Sequence, residues 1–197
     1  MSGTTAVVAD QVSGLDIVDV SNLEKPVLVG SVFLEGFATD VATSGTLAYA
    51  ADRPTGFYVV DLSRPKSLEP LSALQSSIAS NFRGQTEILQ VSAKGPTLAV
   101  VVTGHLQLYD VSNPSAPREM SSYRTPGFSS RVSLKDSLAY VADGPAGVQV
   151  LDLSTPSRPQ IIATYKTPSP ARDVAVSGSL VFVVLGSGDV LVLRQTQ

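Results

Sequence analysis

The chain contains no cysteine, no tryptophan and a single histidine, His105. Without cysteine there are no disulfides and no thiolate-held metals, although this leaves the compartment unassigned. One histidine excludes a multi-histidine metal cluster, while a Ser-His-Asp triad built on His105 stays formally open. Its place beside Gly104, just ahead of an alternating run, favours a turn residue. The lack of Trp counts against an aromatic carbohydrate platform. Charge is also sparse: 16% of residues are charged, the net charge is −3 and basic residues do not cluster, so no nucleic-acid partner is expected. No apolar run approaches the roughly 20 residues of a membrane helix, so no membrane span is expected. The start, Met1-Ser2-Gly3-Thr4-Thr5, lacks the charged and apolar regions of a signal peptide; a signal removed upstream would leave no trace.

What the sequence has in quantity is punctuation and short apolar runs. Fifteen Gly and thirteen Pro accompany a hydrophobic fraction of 43%, mostly Val, Leu and Ala. That balance suits many short strands in one soluble domain large enough to bury a core.

The runs repeat. Gly14-Leu15-Asp16-Ile17-Val18-Asp19 returns as Gly56-Phe57-Tyr58-Val59-Val60-Asp61, as His105-Leu106-Gln107-Leu108-Tyr109-Asp110 and as Gly147-Val148-Gln149-Val150-Leu151-Asp152. A last copy, Asp189-Val190-Leu191-Val192-Leu193-Arg194, has Arg194 in place of the Asp. The spacing is about 42 residues, and a fixed period in that range made of β-type runs signals a propeller. The cleanest unit, 131–166, reads as four strands of about four to seven residues in an antiparallel meander. Both faces are apolar, as in a sheet sandwiched between neighbours, and the six tyrosines fall on strands where they are expected to pack between blades. The segment Leu68–Phe82 is the one place where a short helix could replace a strand.

Turn chemistry repeats as well. Asp10, Asp52 and Asp143 each precede a Gly by four residues (Gly14, Gly56, Gly147). The Asp side chain is expected to bond nearby backbone N–H groups and the Gly to take positive φ. After the third strand, Asp-Val/Leu-Ser leads to a proline seven residues beyond the Asp (Pro26, Pro117, Pro159), suited to the start of an outer edge strand. Lys94-Gly95-Pro96 and Gly186-Ser187-Gly188 read as hairpin turns, because no helix follows to make a phosphate loop. These are folding devices. The second unit is longer, 49 residues from Asp61 to Asp110. The excess reads as two residues in 64–70, three between Pro70 and Glu87 and two before His105. The polar stretch 75–85 is then the most individual surface, because insertions in repeat arrays land in loops on one face.

The strings Leu15-Asp16-Ile17-Val18-Asp19, Tyr58-Val59-Val60-Asp61, Leu106-Gln107-Leu108-Tyr109-Asp110 and Val148-Gln149-Val150-Leu151-Asp152 resemble the LVIVD-repeat family. So do Asp110-Val111-Ser112-Asn113-Pro114 and the strand 137–143. The resemblance spans essentially the whole chain. It implies a β-propeller, in a family found mainly on secreted or surface proteins of bacteria and archaea, with no established catalytic residues to carry over.

The fold expected is therefore an all-β propeller of about five blades, with units near 1–37, 38–84, 85–128, 129–170 and 171–197. The chain opens on a second strand and stops after a third, giving 18 strands, with thinned terminal blades. A closed ring, an open arc and a piece of a larger propeller all stay open, and raw edges offer self-association.

Aligned first strands put Asp40, Glu87, Arg131 and Asp173 at one repeat position. Innermost strands line a propeller's channel, so this set is the candidate ligand-binding rim. Three carboxylates there suit a divalent cation held through oxygen or a carboxylate-based glycosidase; a solvated rim part-neutralised by Arg131 explains the same pattern. The expectation is a non-enzymatic module, without cofactor, that presents loops to a protein or polar ligand. The alternatives are a channel hydrolase or a structural segment of a larger assembly.

Overall fold

The structure, a computed structural model, describes residues 4–53, 56–78, 88–102 and 104–194. Among these residues 18 strands form five antiparallel sheets. The first holds β1 (Thr5–Ala9), β2 (Leu15–Asp19) and β3 (Val27–Val32). The second holds β4 (Phe37–Ser44), β5 (Leu47–Arg53), β6 (Gly56–Asp61) and β7 (Pro70–Gln75). The third holds β8 (Ile88–Lys94), β9 (Thr97–Val102), β10 (His105–Asp110) and β11 (Arg118–Arg124). The fourth holds β12 (Arg131–Lys135), β13 (Leu138–Ala142), β14 (Val148–Asp152) and β15 (Gln160–Tyr165). The fifth holds β16 (Ala171–Ser177), β17 (Leu180–Leu185) and β18 (Val190–Arg194). Each sheet is a plain meander in chain order; within the 68–82 segment Pro70–Gln75 forms β7 rather than a helix, and 79–82 lie outside the described residues.

Each pair of neighbouring sheets shares one apolar core. Leu15, Ile17, Ala48, Ala50 and Val60 join the first and second; Tyr49, Phe57, Val91, Val100 and Tyr109 join the second and third. Ala99, Val101, Leu108, Val141 and Leu151 join the third and fourth; Tyr140, Val148, Val181 and Val183 join the fourth and fifth. Alternate residues of a strand point to opposite faces, so Tyr49 and Ala51 face forward while Ala48 and Ala50 face back. The inner strands pack in the succession β4, β8, β12, β16, and β1 packs on β4. No comparable packing brings β16 back to β1. Five sheets with four cores make an open arc.

The tyrosines divide. Tyr49, Tyr109 and Tyr140 are buried between sheets, and Phe57 meets Tyr109 edge-on with centroids 4.9 Å apart, a favoured aromatic geometry. Tyr165 lies instead at the outer strand of its sheet, 43% exposed. His105 is the first residue of β10, paired with Val102 and Arg124, and so is a strand residue.

The motif residues act as joints. Asp19, Asp61, Asp110 and Asp152 each accept, through Oδ1, the N–H of the Ser two residues on, an Asx turn that reverses the chain after strand three. The loop beyond reaches the preceding sheet. Ser72 Oγ donates to the Pro114 carbonyl at 2.8 Å and Ser121 Oγ to the Pro156 carbonyl at 2.6 Å. Gly30 holds the same register in β3, and there the Pro65 carbonyl comes so close that a Cβ would lie 1.7 Å from it.

The long second unit is corrected. Pro70 opposes Val60 in the register in which Glu119 opposes Tyr109 and Ile161 opposes Leu151, so the loop 64–70 has normal length. The excess is a single block between β7 and β8. Fifteen positions separate Gln75 from Gln90, against seven from Arg124 to Arg131 and from Lys166 to Asp173. The β9–β10 hairpin is one residue shorter than its counterparts, not longer.

Candidate functional site: the inner strands and the insert face

Inner strands combine buried apolar residues, Val91, Val132 and Val174 among them, with polar ones. Three of the four candidate rim residues are placed by β4, β12 and β16. A β-bulge precedes Asp40 in β4 and Asp173 in β16, and the same register shift puts Gln90 at that place in β8. Glu87 lies outside the described residues. Gln90 thus holds the candidate rim position that repeat counting gave to Glu87, and it was hidden because the insertion precedes it.

These side chains reach across to the neighbouring inner strand. The Val91 N–H donates to Asp40 Oδ2 at 2.9 Å, and the Val132 N–H donates to Gln90 Oε1 at 2.7 Å. Arg131 Nη1 donates to the Leu89 carbonyl at 2.9 Å and to the Ser130 carbonyl at 3.2 Å. Ser130 Oγ donates to the Arg172 carbonyl at 2.7 Å, and the Leu134 N–H to Ser92 Oγ at 3.4 Å. Asp173, in the last sheet, accepts the N–H of Val174 beside it at 2.7 Å. Burial raises the Asp40 carboxyl above its ordinary value; the Val91 N–H and the Arg131 charge draw it back, and the Asp173 charge adds to the rise. Asp40 and Arg131 therefore both bear on β8 and feel one another's field. Among the described residues no group of three or more His, Cys, Asp or Glu could hold a metal ion.

A second polar cluster fixes the start of the insert. Gln107, fully buried on β10, accepts from Ser76 Oγ at 2.5 Å through Oε1 and donates to Ser77 Oγ at 2.9 Å through Nε2. Ser77 Oγ donates to Glu119 Oε2 at 2.7 Å. Burial, with the Glu119 charge beside it, raises the Tyr109 hydroxyl far above its ordinary value. Gln149, the counterpart of Gln107, donates to the Ala146 carbonyl of the turn before it and accepts from Thr164 Oγ1, opposite it on β15. On this same face the Asp-x-x-x-Gly turns meet expectation in part. Gly14 and Gly147 take positive φ, +89° and +83°. The Asp143 carboxylate, however, accepts the N–H of Gly127, in the connection before the inner strand, at 2.8 Å. Burial raises both the Asp52 and the Asp143 carboxyls, and the Phe37 N–H draws the former back.

Stacked four-stranded meanders with polar inner strands and inter-sheet joints at a fixed repeat offset define a propeller-type repeat scaffold. A family model described as the LVIVD repeat matches residues 1–33, 35–70, 90–125 and 126–167. The chain belongs to the LVIVD-repeat family. No curated protein matches it. Among solved structures it is similar to a functionally unknown protein from Desulfotomaculum acetoxidans DSM 771, with TM-score 0.79 and 12% identity over 98% of this chain and 68% of that one. It is similar to the computationally designed Ika8 protein, with TM-score 0.72 and 11% identity over 99% of this chain and 57% of that one. A chain of the Mitotic Checkpoint Complex gives TM-score 0.75 and 13% identity over 98% of this chain and 58% of that one. At such identities the likeness is one of fold. The chain spans just over half the length of the designed protein. Among the described residues no helix is long and apolar enough to cross a membrane.

Proposed function

We propose that this protein is a non-enzymatic binding scaffold that meets a protein or polar ligand through the loop face carrying the insert. One observation carries the reading: the inner-strand polar groups Asp40, Gln90 and Arg131 are engaged in backbone bonds between sheets. An acid–base pair needs groups aimed at a substrate, whereas these are aimed at the next strand. At the start of the insert, by contrast, Ser76 and Ser77 are held on Gln107 and Glu119, and a contact surface held in place binds at lower ordering cost. The raised Asp40 carboxyl is the observation that favours a channel hydrolase instead.

The test selects peptides on the whole chain from a displayed library. Peptides that use the insert face should lose about tenfold in affinity with Ser77→Lys, on the scale of one or two charged or polar contacts. They should bind the Asp40→Asn/Asp173→Asn variant unchanged. Equal loss in the carboxylate variant, or turnover of chromogenic glycosides that this variant abolishes, would overturn the reading.

A further inference from the structure

In four of the five sheets an inner strand covers the inward edge of the second strand. Among the described residues the first sheet has none, and β1 is hydrogen-bonded to β2 alone. Within β1 the polar backbone groups alternate in direction. The Thr4 carbonyl accepts from the Val20 N–H and the Asp10 N–H donates to the Gly14 carbonyl, so even-numbered residues face β2. The N–H and C=O groups of Thr5, Val7 and Ala9 therefore face away from it. In the second sheet the counterparts Leu47, Tyr49 and Ala51 pair with Ser44, Ala42 and Asp40 of β4.

The end of this open edge is held in place. Gln11 exchanges two backbone bonds with Ala38, each 3.1 Å, the same bridge that Gly144 makes with Ala171 between the fourth and fifth sheets. Beside it opens a groove of about 580 Å³ lined by Ala9, Gln11, Phe37, Ala38, Thr39 and Arg53. An unpaired strand edge next to a groove is the geometry of β-strand addition, in which main-chain bonds supply affinity and alternate side chains supply selectivity.

We propose that the β1 edge takes an extended peptide segment as the missing inner strand, and that the segment is of the kind this chain itself repeats. That kind is a hydrogen-bonding side chain, then Val, then a small residue: Asp40-Val41-Ala42, Gln90-Val91-Ser92, Arg131-Val132-Ser133, Asp173-Val174-Ala175. The first residue comes opposite Ala9, where it faces β4 as Asp40 faces β8. The small residue comes opposite Val7, where Ala42 stands opposite Tyr49. Continuity with the four inner strands already present specifies this occupant. The inference does not depend on the insert face.

The probe is a fluorescein-labelled peptide copying residues 171–178, titrated with the full chain and followed by anisotropy. Saturable one-to-one binding is expected. N-methylation of the amides copying Asp173, Ala175 and Ser177, which would face β1, should weaken it by about tenfold or more, and methylation at the Val174 and Val176 positions should not. Thr5→Pro removes one outward donor without touching the ladder to β2, at the first strand residue where proline is tolerated. It should weaken binding severalfold while the far-UV spectrum and unfolding midpoint stay unchanged. Ser77→Lys should leave peptide binding intact, which separates this inference from the proposal about the insert. Absence of saturable binding, or equal loss from both methylation patterns, would overturn it. So would a dimer whose mass the peptide leaves unchanged, because the edge would then belong to a second copy.

Discussion

Asp143 shows how much one side chain does in this chain. It is fully buried, yet its carboxylate is what ties the Gly127 connection to the β13–β14 turn. Burial raises it, and the Thr125 hydroxyl, the Gly127 N–H and the Lys166 charge pull it back. A carboxyl raised above 3.8 in the folded chain keeps its proton where the unfolded chain releases it. Its contribution to stability is therefore greatest below that value and declines as pH rises through the folded one. Asn keeps an oxygen for Gly127 and does not titrate. Asp143→Asn should gain in melting temperature over the parent chain as pH rises from acid to neutral, and parallel shifts at both pH values would contradict this account. Gly30 makes a steric point. With the Pro65 carbonyl 1.7 Å from where a Cβ would sit, Gly30→Ala should cost about 1–3 kcal/mol by overpacking. Ser72→Ala, at the equivalent place in the next sheet, loses a hydrogen bond and should cost about 0.5–1.5 kcal/mol; denaturant titration of the two variants checks the order.

At the scale of strands, the number, order and pairing were written in the period. The number of strands, the thinned first and last sheets, and the prolines just ahead of β3, β11 and β15 could be read from apolar runs and turn residues, while the 68–82 segment left a helix open where β7 forms. The bonds between sheets could not. Asp40, Gln90 and Ser72 reach partners in the next repeat, and nothing in a local pattern marks a side chain whose partner lies about 42 residues away. The position of Gln90 was obscured for a second reason: counting from the Asp ahead of the insertion gives residue 82 and from the Asp after it residue 89, and the register of β8 corrects both. The bond it makes is measurable. Gln90→Leu strands the Val132 N–H and should cost about 1–3 kcal/mol, while Gln90→Glu keeps an acceptor and should cost less by the same denaturant titration.

For the molecule as a whole, the described sheets pack on their neighbours through four shared cores, so stability is a sum of sheet and interface contributions. The central sheets have two interfaces each and the terminal sheets one. Valines 184, 190 and 192, on the forward face of the fifth sheet, are 39%, 59% and 52% exposed, whereas their counterparts in the fourth sheet are covered. Amide hydrogen exchange should therefore be fastest in β1–β3 and β16–β18 and slowest in β8–β10 and β12–β14. Leu108→Ala, in the core between the third and fourth sheets, should cost about 2–5 kcal/mol and speed exchange on both sides of it; uniform exchange across all five sheets would contradict an additive array.

The joints between sheets have a meaning for how such a chain grows. Gln90 with Val132, Arg131 with Leu89, Ser92 with Leu134 and Ser130 with Arg172 are each 42 residues apart, one repeat length. A tandem duplication of a whole unit would thus arrive already carrying its own rivets, with every donor landing opposite its acceptor. Lengthening the array by one blade needs no new interface to be invented, and the genetic event and the mechanical one have the same size.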